Sequence, residues 1–186
     1  MNNKLKVINF ISGPGSGKST MVSFVYGELK LLGYDIETVH EYAKILVLQK
    51  RFEELNNQYY VSNKQYKLLK SYADMSEVII TDGSLLHGLH YNTNNKENVS
   101  NLEKTETAIM RFYNDFDNIN IFLDRHDNKY DNRGRIENIE EAIAADSSIL
   151  EYLDKYNINY LKVKSDINNI PDIVEYIKEQ LKKNKD

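Results

Sequence analysis

Residues 12–20 form the stretch of this 186-residue chain that most directly predicts a chemistry. They read Ser-Gly-Pro-Gly-Ser-Gly-Lys-Ser-Thr and lie between an apolar run at residues 7–11 and a stretch whose apolar residues recur at helical spacing. A glycine-rich turn between a strand and a helix lets backbone N–H groups converge on an anion at the helix N-terminus. Lys18 adds a positive charge for the β- and γ-phosphates, and the Ser19 hydroxyl can reach a phosphate-bound Mg²⁺. The stretch therefore predicts a loop that binds a nucleoside triphosphate.

The loop departs from the usual pattern at its first position, where Ser12 stands in place of glycine. We interpret this as a tolerated variant, because the three later glycines still give the backbone its freedom. The dinucleotide-binding spacing G-x-G-x-x-G is not met, since lysine follows Gly17. The residues expected to bind the phosphates are Gly13, Gly15, Ser16, Gly17, Lys18, Ser19 and Thr20.

The composition of the chain excludes several classes of function. With 41% hydrophobic and 28% charged residues it is typical of a globular protein, and no apolar run approaches the length of a membrane span. The chain has no cysteine, so neither a disulfide nor a thiolate metal site is available. A net charge of −4 gives no general attraction to nucleic acid or membranes. With no signal peptide recognised, we expect a cytoplasmic protein without a membrane partner.

Strand patterns alternate with helical patterns along the chain. The strands are expected at residues 7–11, 36–39, 78–81, 119–123 and 159–163. Gly33 is predicted to cap the first helix, and Pro171 stands near the start of the last one. Two helices are expected between residues 42 and 72, and a polar loop at residues 92–101. This alternation predicts one α/β domain over residues 1–186, built around a mostly parallel sheet.

Three further stretches, in this order, resemble a known family together with the loop. They are Glu41-Tyr42-Ala43-Lys44, Ile80-Thr81-Asp82-Gly83 and the arginine-bearing segment after the fourth strand. The chain resembles the P-loop kinases of small molecules and nucleotides from about residue 6 to residue 163. It is most similar to their ribosylnicotinamide-kinase-like branch and to small kinase-like ATPases of bacterial viruses. The resemblance implies a three-layer α/β/α domain, a sheet order of 2-3-1-4-5 and a lid at about residues 125–136.

Two acidic residues follow predicted strands beside the loop. Glu41 comes after the second strand, where it can accept a proton from an attacking hydroxyl or help place Mg²⁺. The alternative for Glu41 is an acid stabilised by a helix N-terminus. Asp82 follows the third strand as a Walker B acid does, which makes Mg²⁺ or its water shell the natural partner. The alternative for Asp82 is a turn residue before Gly83.

Three arginines in the expected lid are candidates for stabilising the transferring phosphoryl group. A guanidinium group over the γ-phosphate offsets the charge that develops in the transition state. Arg125 and Arg135 are the favoured catalytic candidates, and Arg133 is expected to contact the nucleotide. The alternative is that the charged segment is only solvated.

The acceptor pocket is expected between the helices of residues 41–72 and the lid. Gln58, Tyr59, Gln65 and Tyr66 are candidates there, although packing or surface exposure explains each of them as well. Residues 41–73 contain six basic and three acidic residues, which hints at a polyanionic acceptor such as nucleic acid. A solvated helix face explains the same charges.

Two other patterns are weaker. Residues 128–131 spell the N-K-x-D guanine-recognition motif, but Leu85 replaces the glycine that a GTPase needs three residues after Asp82. The tetrad also stands four residues beyond the apolar strand. His87 and His90 are three residues apart, but no third metal ligand is obvious. We interpret both histidines as core or surface residues.

The sequence thus predicts an ATP- and Mg²⁺-dependent kinase that phosphorylates a hydroxyl of a nucleoside, a nucleotide or a modified base or end in nucleic acid. The alternatives are an ATPase coupled to a DNA or protein partner and a GTP-dependent switch. The sequence leaves the acceptor and the oligomeric state open.

Overall fold

The computed structural model describes residues 4–125 and 137–183. Strands and helices alternate along these residues, as the sequence pattern predicts. In chain order the elements are β1 (Lys6–Ile11), α1 (Lys18–Leu31), β2 (Ile36–Val39), α2 (Tyr42–Leu48), α3 (Phe52–Leu55), α4 (Gln58–Lys70), β3 (Val78–Thr81), α5 (His87–Asn94), α6 (Leu102–Asn114), β4 (Asp117–Asp124), α7 (Ile139–Lys155), β5 (Leu161–Lys164), a short 3-10 helix (Ile167–Asn169) and α8 (Ile170–Lys183).

The five strands form one parallel sheet in the order β2-β3-β1-β4-β5. The expected order is confirmed. In the register, Asn9 of β1 and Val39 of β2 both lie opposite Thr81 of β3. The carboxyl ends of β1, β2 and β3 therefore meet at one edge of the sheet, where parallel α/β folds bind their ligands.

Helices cover both faces of the sheet. Alternate residues of β1 point to opposite faces: Ile8 and Phe10 pack with α1 and α8, and Val7 and Ile11 pack with α4 to α7. Since both faces of the sheet are covered at its centre, the strands β1 and β3 are buried almost throughout and consist largely of apolar residues. Among the residues that the structure describes, no helix combines the length and the apolar character that a membrane span needs.

Between residues 42 and 72 the structure has three helices, whereas the sequence predicted two. The extra break follows α2, because Lys50 adopts the left-handed conformation with φ 58°. The Arg51 N–H donates to the Leu46 carbonyl and the Lys50 N–H donates to the Val47 carbonyl. This pair of bonds ends a helix in the same way as at Gly33, but a lysine gives no such signal in the sequence.

The predicted polar loop at residues 92–101 is shorter than expected. Helix α5 runs to Asn94, and the Asn92 side chain is buried, where its Nδ2 donates to the Leu102 carbonyl. The loop that follows is fixed to α3 and α4, because the Val99 N–H donates to the Asn56 carbonyl. In addition, the Asn98 Oδ1 accepts from the Gln58 N–H.

Candidate active site

The phosphate-binding loop joins β1 to α1, and its second half adopts a conformation suited to anions. Gly15 and Gly17 have φ values of 78° and 92°, the left-handed region that side chains disfavour. Within residues 4–125 and 137–183, the backbone N–H groups of Gly15, Ser16 and Gly17 make no hydrogen bond. They stand at the N-terminus of α1, where the helix dipole favours negative charge, so this half of the loop can hold phosphate.

The other predicted loop residues, Ser16 and Thr20, also lie at this site. The Ser16 hydroxyl is buried and hydrogen-bonds the hydroxyl of Ser12, the residue that replaces the usual glycine. Thr20 lies in the first turn of α1 and faces the cleft described below. Gly17 also approaches Ser165, because a Cβ at Gly17 would lie 2.6 Å from the Ser165 Oγ.

Lys18 lies across the first half of the loop. Its Nζ donates to the carbonyls of Ser12 and Gly13, at 2.8 Å each. Burial lowers the pKa of Lys18, and the carboxylates of Glu41 and Asp82 act in the opposite direction. The ammonium group is thus held by weak carbonyl acceptors beside the anion site.

His87 contacts the loop from α5, a role that no local sequence pattern indicates. Its Nε2 accepts a hydrogen bond from the Ser12 N–H at 3.4 Å. The ring is buried, and burial lowers its pKa well below the usual value. Neutral His87 can therefore act as an acceptor toward the loop. No group of three or more metal-ligating acids, histidines or cysteines occurs in the part of the chain that the structure describes.

Arg125 directly follows β4 and is bound to the loop and to α7. Its Nη1 donates to the Pro14 carbonyl at 2.7 Å, and its Nε donates to Asp146 Oδ2 at 2.8 Å. Its Nη2 donates to the Ala142 carbonyl at 3.2 Å. The other oxygen of Asp146 accepts the Gly13 N–H at 2.5 Å. The guanidinium group thus lies at the base of the expected lid and beside the phosphate loop.

Ser19 and Asp82 meet at the carboxyl edge of the sheet. The Ser19 Oγ donates to Asp82 Oδ2 at 2.5 Å, and Asp82 Oδ1 accepts the Glu41 N–H at 3.1 Å. The Asp82 carboxylate is buried, whereas the Ser19 hydroxyl is reachable from the cleft. A hydroxyl and a carboxylate are the hard oxygen ligands that Mg²⁺ takes from a protein when phosphates and water complete its shell, so the pair fits this ion.

Glu41 stands at the N-terminus of α2 without capping it, because its side chain makes no hydrogen bond to that helix. Burial raises the pKa of Glu41 to about 7, with Lys18 acting in the opposite direction and Asp82 adding to the increase. The carboxylate faces the cleft beside the phosphate loop. A carboxylate with a pKa near 7 is suited to accept a proton from a hydroxyl at neutral pH.

Two residues hold Glu41 in place. Gln65 hydrogen-bonds the residues on either side of Glu41. Its Oε1 accepts the Tyr42 N–H at 2.7 Å, and its Nε2 donates to the His40 carbonyl at 3.4 Å. Gly83 lies against its backbone, because a Cβ at Gly83 would stand 2.6 Å from the Glu41 Cα. Gln65 thus supports the Glu41 backbone, and its side-chain amide is already engaged there.

A cleft of about 1050 Å³ runs from the phosphate loop to the far ends of α3, α4 and α5. Gln58 and Ser62 line it, and the Gln58 Nε2 donates to the Ser62 Oγ at 3.0 Å. Tyr59 and Tyr66 do not line it and pack on Phe112, with ring centroids 6.4 and 4.5 Å away. For the two tyrosines, the packing interpretation is the one that the structure supports.

The basic residues of the segment 41–73 largely point away from the cleft. Lys44 lines it, but Arg51 pairs with Glu54 at 2.8 Å and Lys70 donates to the Tyr66 hydroxyl on the exposed surface. Beyond the loop, the charged residues in the described lining are Glu41, Asp82, Glu97, Glu137, Glu141, Lys44 and Lys96. In the described part of the chain, the cleft beyond the loop is therefore lined by more acidic than basic residues.

Several predicted features fall on residues 126–136, outside the residues that the structure describes. They are Arg133, Arg135, the expected lid apart from Arg125, and the N-K-x-D tetrad.

Comparison with known proteins gives a family match, and solved structures of the same fold include a NadR protein and a deoxyadenosine kinase. A family described as an AAA domain matches residues 7–169. No curated protein matches the sequence. A crystal structure of the NadR protein in complex with NAD and AMP-PNP superposes with a TM-score of 0.69 at 11% identity, over 94% of this chain and 49% of that one. This chain thus spans about half the length of that NadR chain.

The second structure is deoxyadenosine kinase from M. mycoides, with the products dCMP and a flexible dCDP bound. It superposes with a TM-score of 0.60 at 21% identity, over 95% of this chain and 99% of that one. At these identities the likeness shows the fold, in agreement with the sheet order above.

Proposed function

We propose that this chain, which belongs to the AAA domain family by a match over residues 7–169, is a P-loop kinase. The reaction is transfer of the γ-phosphoryl group of ATP to a hydroxyl of a nucleoside-type acceptor. The observation that supports this most strongly is the position of Glu41. A carboxylate with a pKa of about 7 faces the cleft beside the phosphate loop and the Ser19–Asp82 pair.

The proposed roles follow from what phosphoryl transfer requires. The amides of Gly15 to Gly17 and the Lys18 ammonium bind the phosphates, and Ser19 and Asp82 hold Mg²⁺. When bound, Mg²⁺ neutralises charge on the phosphate oxygens. Glu41 accepts the proton as the acceptor O–H bond breaks and the new O–P bond forms. The bond from the γ-phosphorus to the bridging oxygen breaks, and ADP leaves with that electron pair.

The charges of the cleft lining, counted over residues 4–125 and 137–183, favour an acceptor that is not a polyanion. Most basic residues of the segment 41–73 point away from the cleft, and four glutamates line it in the described part of the chain. A phosphorylated acceptor or a nucleic-acid backbone needs basic partners, whereas a nucleoside does not. The solved structures of the same fold agree with a nucleotide donor and a nucleoside-type acceptor, since one contains AMP-PNP and the other dCMP and dCDP.

The test is transfer of labelled γ-phosphate from ATP in the presence of Mg²⁺. The acceptor panel contains nucleosides, ribosylnicotinamide, nucleoside monophosphates, and DNA with and without hydroxymethylated bases. We expect a labelled nucleoside product that is lost in Lys18→Ala. The matched control is Lys30→Ala, which removes an exposed lysine of the same helix that pairs with Glu37.

Full transfer by Lys18→Ala would overturn the mechanism. Label released only as free phosphate with every acceptor would instead support an ATPase coupled to a partner. A strong preference for GTP over ATP, with no phosphorylated product, would support a switch.

A further inference from the structure

We infer that Asp146 of α7 is a positioning residue for nucleotide binding. It fixes the first half of the phosphate loop and the orientation of Arg125, so that the backbone amides of Gly15 to Gly17 are preorganised for phosphate. The inference rests on the proposed function only in that the loop binds a nucleoside triphosphate. It does not depend on the acceptor.

Both carboxylate oxygens of Asp146 are engaged by the site. Oδ1 accepts the Gly13 N–H at 2.5 Å, and Oδ2 accepts the Arg125 Nε–H at 2.8 Å. The Asp146 and Arg125 side chains are only 16% and 15% exposed, so water screens the pair weakly. Hydrogen bonds with a charged partner in such surroundings are among the stronger ones in proteins.

Asp146 completes a set of side-chain contacts that fixes the polar backbone groups of residues 12–14. The Ser12 N–H is bound by His87 and the Gly13 N–H by Asp146. The carbonyls of Ser12 and Gly13 accept from Lys18, and that of Pro14 accepts from Arg125. Proline has no N–H, so every backbone polar group of this half of the loop has a partner from another element.

Helix α7 does not need Asp146 in order to stay in place. Ala142 and Ala145 are buried against Gly13, where a Cβ would lie 2.5 Å from the Ala142 carbonyl oxygen. Further along the helix, Ile149 and Leu153 are part of the core. The N-terminus of α7 has its own capping box, formed by Asn138 and Glu141. The Asp146 carboxylate is therefore directed at the site, and packing and capping hold the helix.

A carboxylate beside a phosphate site repels the ligand unless its charge is compensated. The guanidinium group of Arg125 compensates the Asp146 charge, and this predicts how the two substitutions combine in a double variant. Removing Arg125 leaves Asp146 uncompensated near the triphosphate, so neutralising Asp146 in that background should restore part of the lost affinity. A purely structural role of Asp146 would leave the double variant binding no more tightly than Arg125→Gln, because losing a further contact does not restore affinity.

The experiment measures binding of AMP-PNP with Mg²⁺ by calorimetry, and thermal unfolding of the same samples. The variants are Asp146→Asn, Arg125→Gln and the double variant, with Asp154→Asn as an exposed control on the same helix. We expect Asp146→Asn to weaken binding about ten- to a hundredfold, the range for loss of hydrogen bonds to a charged group. Asp154→Asn should bind normally, and the double variant should bind more tightly than Arg125→Gln.

Unchanged binding by Asp146→Asn would overturn the inference, and so would a double variant that binds no more tightly than Arg125→Gln. An Asp146→Asn protein that fails to fold would also overturn it, because packing and the capping box hold α7 without Asp146. If wild type binds AMP-PNP but phosphorylates no acceptor, while Asp146→Asn binds weakly, only the proposed kinase function fails. If wild type is an active kinase and Asp146→Asn binds normally, only the inference on Asp146 fails.

Discussion

The Ser19 Oγ lies 2.5 Å from Asp82 Oδ2, although the two residues are 63 positions apart in the sequence. The contact exists because β1 and β3 are parallel neighbours, so the elements that follow them start at the same edge of the sheet. The pair supplies two oxygen ligands of the kind that Mg²⁺ prefers.

If this pair holds Mg²⁺, Asp82→Asn should raise the Mg²⁺ concentration needed for half-maximal transfer by about tenfold or more, because a neutral amide is a weaker ligand than a carboxylate. The measurement is the transfer rate as a function of Mg²⁺ at saturating ATP. Asp74→Asn, at an exposed position after α4, is the control and should leave the curve unchanged. The same Mg²⁺ dependence in Asp82→Asn and wild type would remove Asp82 from the metal site.

Glu41 as the proton acceptor predicts a pH profile of the transfer reaction. Since its pKa is raised to about 7, the base is largely protonated and inactive at pH 5.5, and kcat/KM should increase with pH up to about 7. Glu41→Gln should lower kcat by roughly 10²- to 10⁴-fold and abolish this limb. Glu53→Gln, an exposed acid of α3, should keep it. If the residual activity of Glu41→Gln increases with pH in the same way as the wild-type activity, Glu41 is not the proton acceptor.

The same raised pKa predicts an effect on stability with the opposite sign to that on activity. Between the ordinary pKa of 4.5 and the folded value of about 7, the native state binds more protons than the unfolded state, so stability falls as pH rises. Replacing Glu41 by glutamine removes this cost. In the absence of nucleotide and Mg²⁺ at pH 8, the free energy of unfolding of Glu41→Gln should be ~1–3 kcal/mol higher than that of wild type.

Urea titrations at pH 4.5 and pH 8 test this expectation. The difference between Glu41→Gln and wild type should be small at pH 4.5 and should grow toward pH 8. An equal difference at both values would mean that the effect has another cause.

Gly83 lets β3 end directly against the Glu41 backbone. In Gly83→Ala the new Cβ would meet the Glu41 Cα at 2.6 Å, so β2 and β3 must shift. We expect a loss of about 1–3 kcal/mol in the free energy of unfolding, together with a loss of transfer activity. Gly27→Ala is the matched control, because nothing lies within 4 Å of a Cβ there and the position is inside α1. It should stabilise the protein by about 0.5–1 kcal/mol and keep activity, since alanine favours helix.

Gln58 and Tyr59 are adjacent on α4 but differ in what they face. Gln58 lines the cleft, and Tyr59 packs on Phe112 with 42% of its surface exposed. Gln58→Leu keeps the volume but removes the amide, so the KM for the acceptor should rise about tenfold while the KM for ATP stays constant. Tyr59→Phe should change neither constant. A larger change in the KM for ATP than in that for the acceptor would move Gln58 out of the acceptor site.

The sequence predicted the features that depend on contiguous residues. The phosphate loop is recognisable because its glycines, Lys18 and Ser19 act through a local backbone conformation, and the strands follow from short apolar runs. The sheet order came from the family resemblance and is confirmed. The helix break at Lys50 was missed, since its left-handed turn contains no glycine.

Only the tertiary structure decided which distant side chains complete the site. His87 and Asp146 bind the loop from 75 and 133 positions away, and neither belongs to a local motif. Gln58 and Tyr59 are neighbours in sequence, and their opposite roles depend on how α4 packs against α6. A local pattern fixes which groups a segment can offer, whereas the packing of helices on the sheet determines which of those groups meet.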